Sequence, residues 1–238
     1  MTARPRVLCV AGSPSAGSHT RALVGHIGGL LEQHGFDSGV ADLAVLDLPR
    51  SHPDHYWSEA PHPVVQAREF IEAVLASDAL VLGTPVYHSG YSGLLKSAVD
   101  LLPSDAFAGK AVGLVSHASG PRGSATACEQ LRQVVKALGG WAVPMQVSTV
   151  SADFTPAAAG QRGLDMTGPV HARCVELAGQ LAAFTRAMRG AAGSSAPAEG
   201  AAEDMAEDTV QAAAEETPQN TPQNTPEDTS EDLPEVAA

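Results

Sequence analysis

A doubly wound α/β fold is predicted by three features of this 238-residue chain. Short, continuously apolar runs alternate with segments of helical periodicity. Five such runs occur before residue 151, and each of the first, third and fourth opens into a loop rich in Gly, Ser, Thr or Pro. Strands that are apolar on both faces, separated by helices, belong to a parallel sheet covered on both sides.

The first run is Val7 to Ala11. A helical pattern follows from about Thr20, with Leu23, Ile27, Leu30 and Leu31 on one face, and Gly35 is placed to stop it. Val40 to Leu43 reads as a weaker second strand. Pro49, Pro53, Pro61 and Pro63 mark residues 49–63 as a long loop. Val64 to Ala76 is amphipathic, and Ala79 to Gly83 is a third, buried strand. A helix is expected over about Gly93 to Leu102, a fourth strand over Ala111 to Val115 and a helix over Ala125 to Leu138. Val143 to Val150 is a fifth strand interrupted by Pro144, and Pro169 to Met188 is a closing helix. Five strands joined by right-handed crossovers suit the order 2-1-3-4-5 of flavodoxin-like folds, which bind ligands beyond the carboxyl ends of the strands.

Composition changes near residue 190. Of the 27 acidic side chains, 12 lie in residues 191–238, which hold no Lys or Arg, leaving 15 acidic against 14 basic side chains in the rest. The chain thus divides into a near-neutral domain, residues 1–190, and an acidic Ala/Glu/Thr/Pro-rich tail, residues 191–238, with a tandem Thr-Pro-Gln-Asn repeat at 217–224. The tail is expected to be disordered, having too little apolar surface to offset its ordering entropy. A near-neutral domain offers no footprint for nucleic acid or an anionic membrane. No apolar stretch approaches the about 20 residues of a membrane helix, and residues 1–6 lack the apolar core of a signal peptide. A cytoplasmic location is expected. Cys9, Cys128 and Cys174 are widely spaced and odd in number, so free thiols and no metal site are expected.

The first loop, Gly12 to Thr20, joins a strand to a helix N-terminus and carries the hydroxyls of Ser13, Ser15, Ser18 and Thr20 beside His19. Free N–H groups and the positive helix end make such a loop an anion site. Gly12 and Gly17 match the glycines of a nucleotide-triphosphate loop, but Ser18 stands where its Lys is required, and no G-x-G-x-x-G is present. A loop of hydroxyls without a fixed cation suits one phosphate monoester. The plain alternative is that Ser18 or Thr20 only caps the helix.

The second loop runs from Thr84 through Pro85, Val86, Tyr87, His88 and Tyr91 to Gly93. It holds two of the three tyrosines of the chain, and Gly90 and Gly93 permit close backbone approach to a flat ligand. The third loop, Ser116 to Gly123, contains Ser119 and Gly120, and its Arg122 is a candidate for a nicotinamide-dinucleotide phosphate.

Together the loops resemble the NADPH-dependent FMN reductase family, most closely the flavin reductases of two-component alkanesulfonate-type monooxygenases. The likeness rests on Gly12-Ser13-Pro14 through Thr20, and on Thr84-Pro85-Val86-Tyr87 through Tyr91-Ser92-Gly93-Leu94-Leu95-Lys96 to Asp100-Leu101-Leu102-Pro103. The resemblance implies FMN as cofactor, NADPH or NADH as hydride donor, phosphate at Ser13, Ser18 and Thr20, and isoalloxazine at Pro85 to Tyr87. Where many relatives have Arg after the first-loop Pro, this chain has Ser15. The flavin carries the chemistry, so no catalytic acid or base is assigned. Backbone N–H groups near Tyr87 and at Ser119–Gly120 are expected to face negative charge on the reduced ring.

The resemblance further implies a homodimer or tetramer joined through the Gly93–Leu102 helix, whose Leu94, Leu95, Val99, Leu101 and Leu102 exceed one core-facing stripe. It also implies a possible partner monooxygenase that receives reduced flavin. The alternatives are a quinone, azo or metal-ion reductase with bound FMN, and a flavodoxin-type electron carrier, against which the near-neutral domain argues. Some of the reductases this chain resembles have one extra residue in the helix after strand 4, forming a π-bulge beside a weakly held flavin. Ala125 to Glu129 is too short for it, so a regular helix and retained FMN are expected.

Overall fold

The computed structural model describes residues 3–15, 18–56, 58, 60–120, 125–156, 162–164 and 168–194. Five parallel strands, β1 (Arg6–Ala11), β2 (Asp37–Asp42), β3 (Ala79–Pro85), β4 (Ala111–Ala118) and β5 (Trp141–Val150), form one sheet of order β2-β1-β3-β4-β5. The helices are α1 (His19–Gln33), α2 (Pro53–Tyr56), α3 (Val65–Leu75), α4 (Gly93–Val99), α5 (Thr126–Ala137) and α6 (Pro169–Ser194).

Alternation along the strands splits the core in two. Val7, Cys9, Ala11, Val81 and Val115 face α1 and α6, and Val10, Leu80, Leu82, Val112 and Leu114 face α3, α4 and α5. The sheet is thus the middle of three layers. The layers approach closely at Gly83, where an added Cβ would lie 2.3 Å from Val24 Cγ1 of α1.

β2 starts earlier than the apolar run at 40–43. It is an edge strand with Val40 43% exposed, so apolar character does not mark it. Its start is set by the end of α1. Gly35, at φ +84°, bonds back to the Glu32 carbonyl and the buried Phe36 to that of Leu31, the pairing of a Schellman cap. A short helix, α2, occupies part of the predicted 49–63 loop, and an antiparallel ribbon, β6 (Phe154–Pro156) with β7 (Arg162–Leu164), was not anticipated. α6 runs to Ser194, so the first four residues of the expected disordered tail are helical, and residues 195–238 with the repeat lie outside the described residues.

At Pro144 the register shifts, with Val112 opposite Ala142 and Leu114 opposite Gln146. The irregular backbone is satisfied by side chains. Arg132 of α5 donates to the carbonyls of Val143 and Pro144 at 3.1 and 2.9 Å, and Gln180 of α6 accepts the Met145 N–H at 2.8 Å. α5 itself is a regular α-helix, as the short Ala125–Glu129 segment predicts.

One expectation is corrected. α4 stops at Val99, and Leu95, Val99, Leu101 and Leu102 are all buried in the core of their own chain, with Leu94 packed against it. The chain's own layer therefore consumes the apolar side chains counted toward a second, partner-facing surface. No helix among the described residues is long and apolar enough to cross a membrane.

Candidate functional site

The three predicted loops meet at the carboxyl edge of β1, β3 and β4, and specific hydrogen bonds join them. The Gly12 N–H donates to the Gly83 carbonyl at 2.8 Å. An added Cβ on Gly12 would lie 2.8 Å from both that oxygen and Leu95 Cβ, so the first loop lies flat against β3 and the start of α4. Ser92, 1% exposed, caps α4 by accepting the Leu95 N–H at 3.0 Å, and its own hydroxyl donates to the Gly12 carbonyl at 2.5 Å. Its N–H is held at 2.9 Å by the buried Thr84 hydroxyl. The second loop is fastened to β4 by the Val86 N–H, which donates to the His117 carbonyl at 2.8 Å.

In the first loop, Ser18 is the N-cap of α1 and accepts the Arg21 N–H at 3.1 Å. Ser13 is buried and accepts the Ser15 N–H at 3.3 Å, whereas Ser15 itself is exposed. Thr20 is buried against the sheet at 1% exposure. A cation does stand beside the loop, contrary to its own lack of Lys or Arg. Arg21 donates at 2.5 Å to Asp42, at the end of β2.

His19 opens α1 and stacks on His117 of β4, with ring centroids 4.1 Å apart, and both rings meet Phe154 of β6 edge-on, at 4.5 and 5.5 Å. Thr149 donates to the Ser116 carbonyl and so accepts from Nδ1–H of His117, at 3.1 Å. The end of β4 is thereby tied to the phosphate-type loop through rings that are far apart in sequence.

The second loop turns at His88 and Ser89. Tyr87 and Gly90 exchange both backbone hydrogen bonds at 2.9 Å, and the two central residues have φ of +49° and +64°, the φ signature of a type I′ turn. Neither residue is Gly, and a non-Gly left-handed residue is a local strain of a kind concentrated at ligand-binding loops. Gln130 of α5 steadies the turn by donating to the Ser89 carbonyl at 3.3 Å. The Tyr87 N–H is engaged in this turn, which leaves its neighbours as the donors available near Tyr87. The N–H groups of His88 and Ser89 have no partner among the described residues. Tyr87 is 48% exposed, His88 is exposed, and Tyr91 is half-buried against the core.

In the third loop, Ser116 is fully buried and its hydroxyl meets Ser148 Oγ at 3.1 Å, below the rim of the site. Ser119 is exposed and Gly120 half-buried, directly after the end of β4, and Arg122 lies outside the described residues. Burial pushes the Cys128 thiol, beside Ser116 and Ser148, up to about 11, and those of Cys9 and Cys174 up to about 12. None of the three is a thiolate near neutral pH, which leaves no cysteine nucleophile here.

Sequence reasoning missed the structural parts of Thr84, Ser92, Gln130 and Phe154. Ser92 carried a readable signal, a Ser at the start of an apolar helix. Phe154 carried none.

The profile of the NADPH-dependent FMN reductase family matches residues 5–154. The chain belongs to this family. As an FMN reductase-family protein it is an oxidoreductase that uses FMN and NAD(P)H. It is 37% identical over 148 residues to an FMN-dependent NADPH-azoreductase of Staphylococcus haemolyticus, covering 62% of this chain and 78% of the relative. It is 38% identical over 154 residues to that of Staphylococcus saprophyticus, with the same coverage. Among solved structures, FerB, a flavoenzyme NAD(P)H:(acceptor) oxidoreductase from Paracoccus denitrificans, superposes with a TM-score of 0.58 at 22% identity, covering 78% of this chain and 98% of its own. RosB superposes with a TM-score of 0.62 at 14% identity, covering 98% of each chain. These two likenesses concern the fold.

Proposed function

We propose that the three fastened loops hold FMN and that the enzyme passes electrons from NAD(P)H to a small aromatic acceptor of the azo or quinone class. The observation that carries this reading is the joining of the loops through Ser92 to Gly12 and Val86 to His117, which makes one continuous rim from the phosphate-type loop to the turn at His88–Ser89. In this reading Ser13, Ser15, Ser18, His19 and Thr20 surround the phosphate. Pro85, Val86, Tyr87, His88 and Tyr91 border one side of the ring system, and Ser116, Ser119 and Gly120 the other. Bound FMN supplies two-electron redox chemistry, and the chain binds, orients and polarises it.

The residues fit such a cofactor. The hydroxyls and the α1 N-terminus offer donors to a phosphate. The His88 and Ser89 N–H groups are unpartnered donors on a rigid turn, suited to hydrogen bonding with heteroatoms of a planar ring. The half-exposed Tyr87 leaves an aromatic surface for a second flat molecule.

The azoreductase relatives favour a direct acceptor over export of reduced flavin, and the regular α5 favours a flavin kept between turnovers. The test is a spectrum of desalted protein followed by NADPH and NADH oxidation with an azo dye, with and without added FMN. Yellow protein that bleaches the dye without added flavin supports the reading. Colourless protein that oxidises NAD(P)H only when FMN is supplied, and leaves the dye intact, overturns it in favour of flavin supply to a partner monooxygenase.

A further inference from the structure

Away from these loops, the segment between β2 and α3 folds over α3 and the end of α4 and encloses a cleft of about 370 Å3. No residue of the Gly12–Thr20, Thr84–Gly93 or Ser116–Gly120 segments lines it. Three of the nine histidines of the chain do, His52, His55 and His62. Their rings adjoin in sequence, with centroids 6.3 Å apart for His52 and His55 and 5.0 Å for His55 and His62.

Three imidazoles suggest a metal, but local hydrogen bonding decides otherwise. The Val64 N–H donates to Nδ1 of His62 at 3.1 Å. An imidazole whose Nδ1 accepts carries its proton on Nε2, which is then a donor and has no lone pair for a metal. No group of three His, Cys, Asp or Glu side chains among the described residues is arranged to hold a metal ion. Nε2 of His62 is buried without a hydrogen-bond partner, and an unmade buried hydrogen bond is costly.

Arg68 stands beside it. The one hydrogen bond of its guanidinium among the described residues is Nη1 to the His62 carbonyl at 3.4 Å, so its charge has no carboxylate partner there. Ile71, Leu75, Leu101 and Pro103 form an apolar wall of the same cleft. Glu72 also lines it and opposes multiply charged ligands. His52 contributes less, because its Nδ1 lies 3.4 Å from the Asp54 carboxylate and 3.3 Å from the Asp54 N–H.

We propose that this cleft binds a small aromatic monoanion, a carboxylate or sulfonate. Its oxygens accept from His62 Nε2–H and Arg68, and its ring lies on the Ile71, Leu75, Leu101 and Pro103 wall. The exposed His55 ring, edge-on to His62, turns to admit it.

The test titrates benzenesulfonate into full-length, FMN-loaded protein, following histidine ring nitrogens by NMR and binding by calorimetry. One site per chain is expected, with the His62 Nε2–H signal shifting and the flavin spectrum unchanged. Affinity falls about 10-fold in Arg68→Met and again in His62→Phe, the size of a lost charge-assisted hydrogen bond. Arg68 is partly exposed, so its variant keeps the test valid if His62→Phe does not fold. Benzyl alcohol, which lacks the charge, binds at least about 10-fold more weakly. An affinity that is unchanged in Arg68→Met or equalled by benzyl alcohol, or binding that perturbs the flavin band, overturns the proposal. So does absence of binding at millimolar ligand, including the case in which light scattering shows a second copy covering the cleft.

Discussion

The Ser92 hydroxyl donates to the Gly12 carbonyl across 2.5 Å while accepting the Leu95 N–H at 3.0 Å. One buried side chain thus ends the loop after β3, starts α4 and holds the loop after β1 in place. Ser92→Ala removes an N-cap, worth about 1 kcal/mol, and leaves a buried carbonyl without its donor, at about 1–3 kcal/mol. Urea denaturation is expected to show a loss in the sum of these ranges, and the variant is expected to release FMN on desalting. Ser92→Thr restores both. A variant as stable as the parent that keeps its flavin would show that the loops are held by other means.

Ser18 and Thr20 separate capping from phosphate binding. Ser18→Ala loses the α1 cap, about 1 kcal/mol of stability, and weakens FMN about 10-fold if the hydroxyl also faces phosphate. Thr20→Val keeps the shape of a side chain buried at 1% exposure and is expected to weaken FMN with melting temperature nearly unchanged. Fluorescence titration of the apoprotein measures both affinities. Unaltered affinity in both variants would remove the phosphate from this loop.

The turn at His88–Ser89 carries two non-Gly residues at positive φ. The double substitution His88→Asn with Ser89→Gly supplies the residues such a turn prefers and is expected to add about 1 kcal/mol to stability. The FMN dissociation constant is expected to stay within about twofold, because the turn presents backbone N–H groups that both sequences retain. A large loss of affinity would show that the His88 side chain itself contacts the cofactor.

His26 of α1 and His171 of α6 share a hydrogen bond, Nε2 to Nδ1, at 3.0 Å. Burial, then the neighbouring His171, lowers the His26 pKa below its ordinary value. The folded state therefore binds fewer protons than the unfolded state over this range. Stability is intact above about pH 6.5 and falls as pH drops through that value, until His26 is protonated in the folded state as well. Melting temperature measured from pH 8 to pH 5 is expected to decline on the acid side, and less steeply in His26→Gln. An identical acid slope in that variant would assign it to other groups.

Much of the fold was legible because each sheet-forming signal is local. Val7 to Ala11, Ala79 to Gly83 and Ala111 to Val115 are apolar on both faces, as buried parallel strands must be. β2 was misplaced at its start for the converse reason, since an edge strand is half-solvated and its boundary comes from the cap at Gly35 and Phe36. The β6–β7 ribbon was invisible, because three-residue strands have no periodicity to read. The surplus of leucines near α4 was legible, but its destination was not, since composition does not say whether an apolar face meets its own sheet or another chain.

The sequence by itself determined the layer order, the three loops at the carboxyl edge and their stock of hydroxyls, glycines and tyrosines, all properties of contiguous residues. Only the tertiary structure decided how those loops are joined. The bond from Ser92 to Gly12, the stack of His19 on His117 and the engaged Tyr87 N–H unite residues that are distant in the chain or depend on turn geometry. Hydrogen bonds and ring contacts act over a few ångströms of space, so a linear pattern contains the groups but not their pairing.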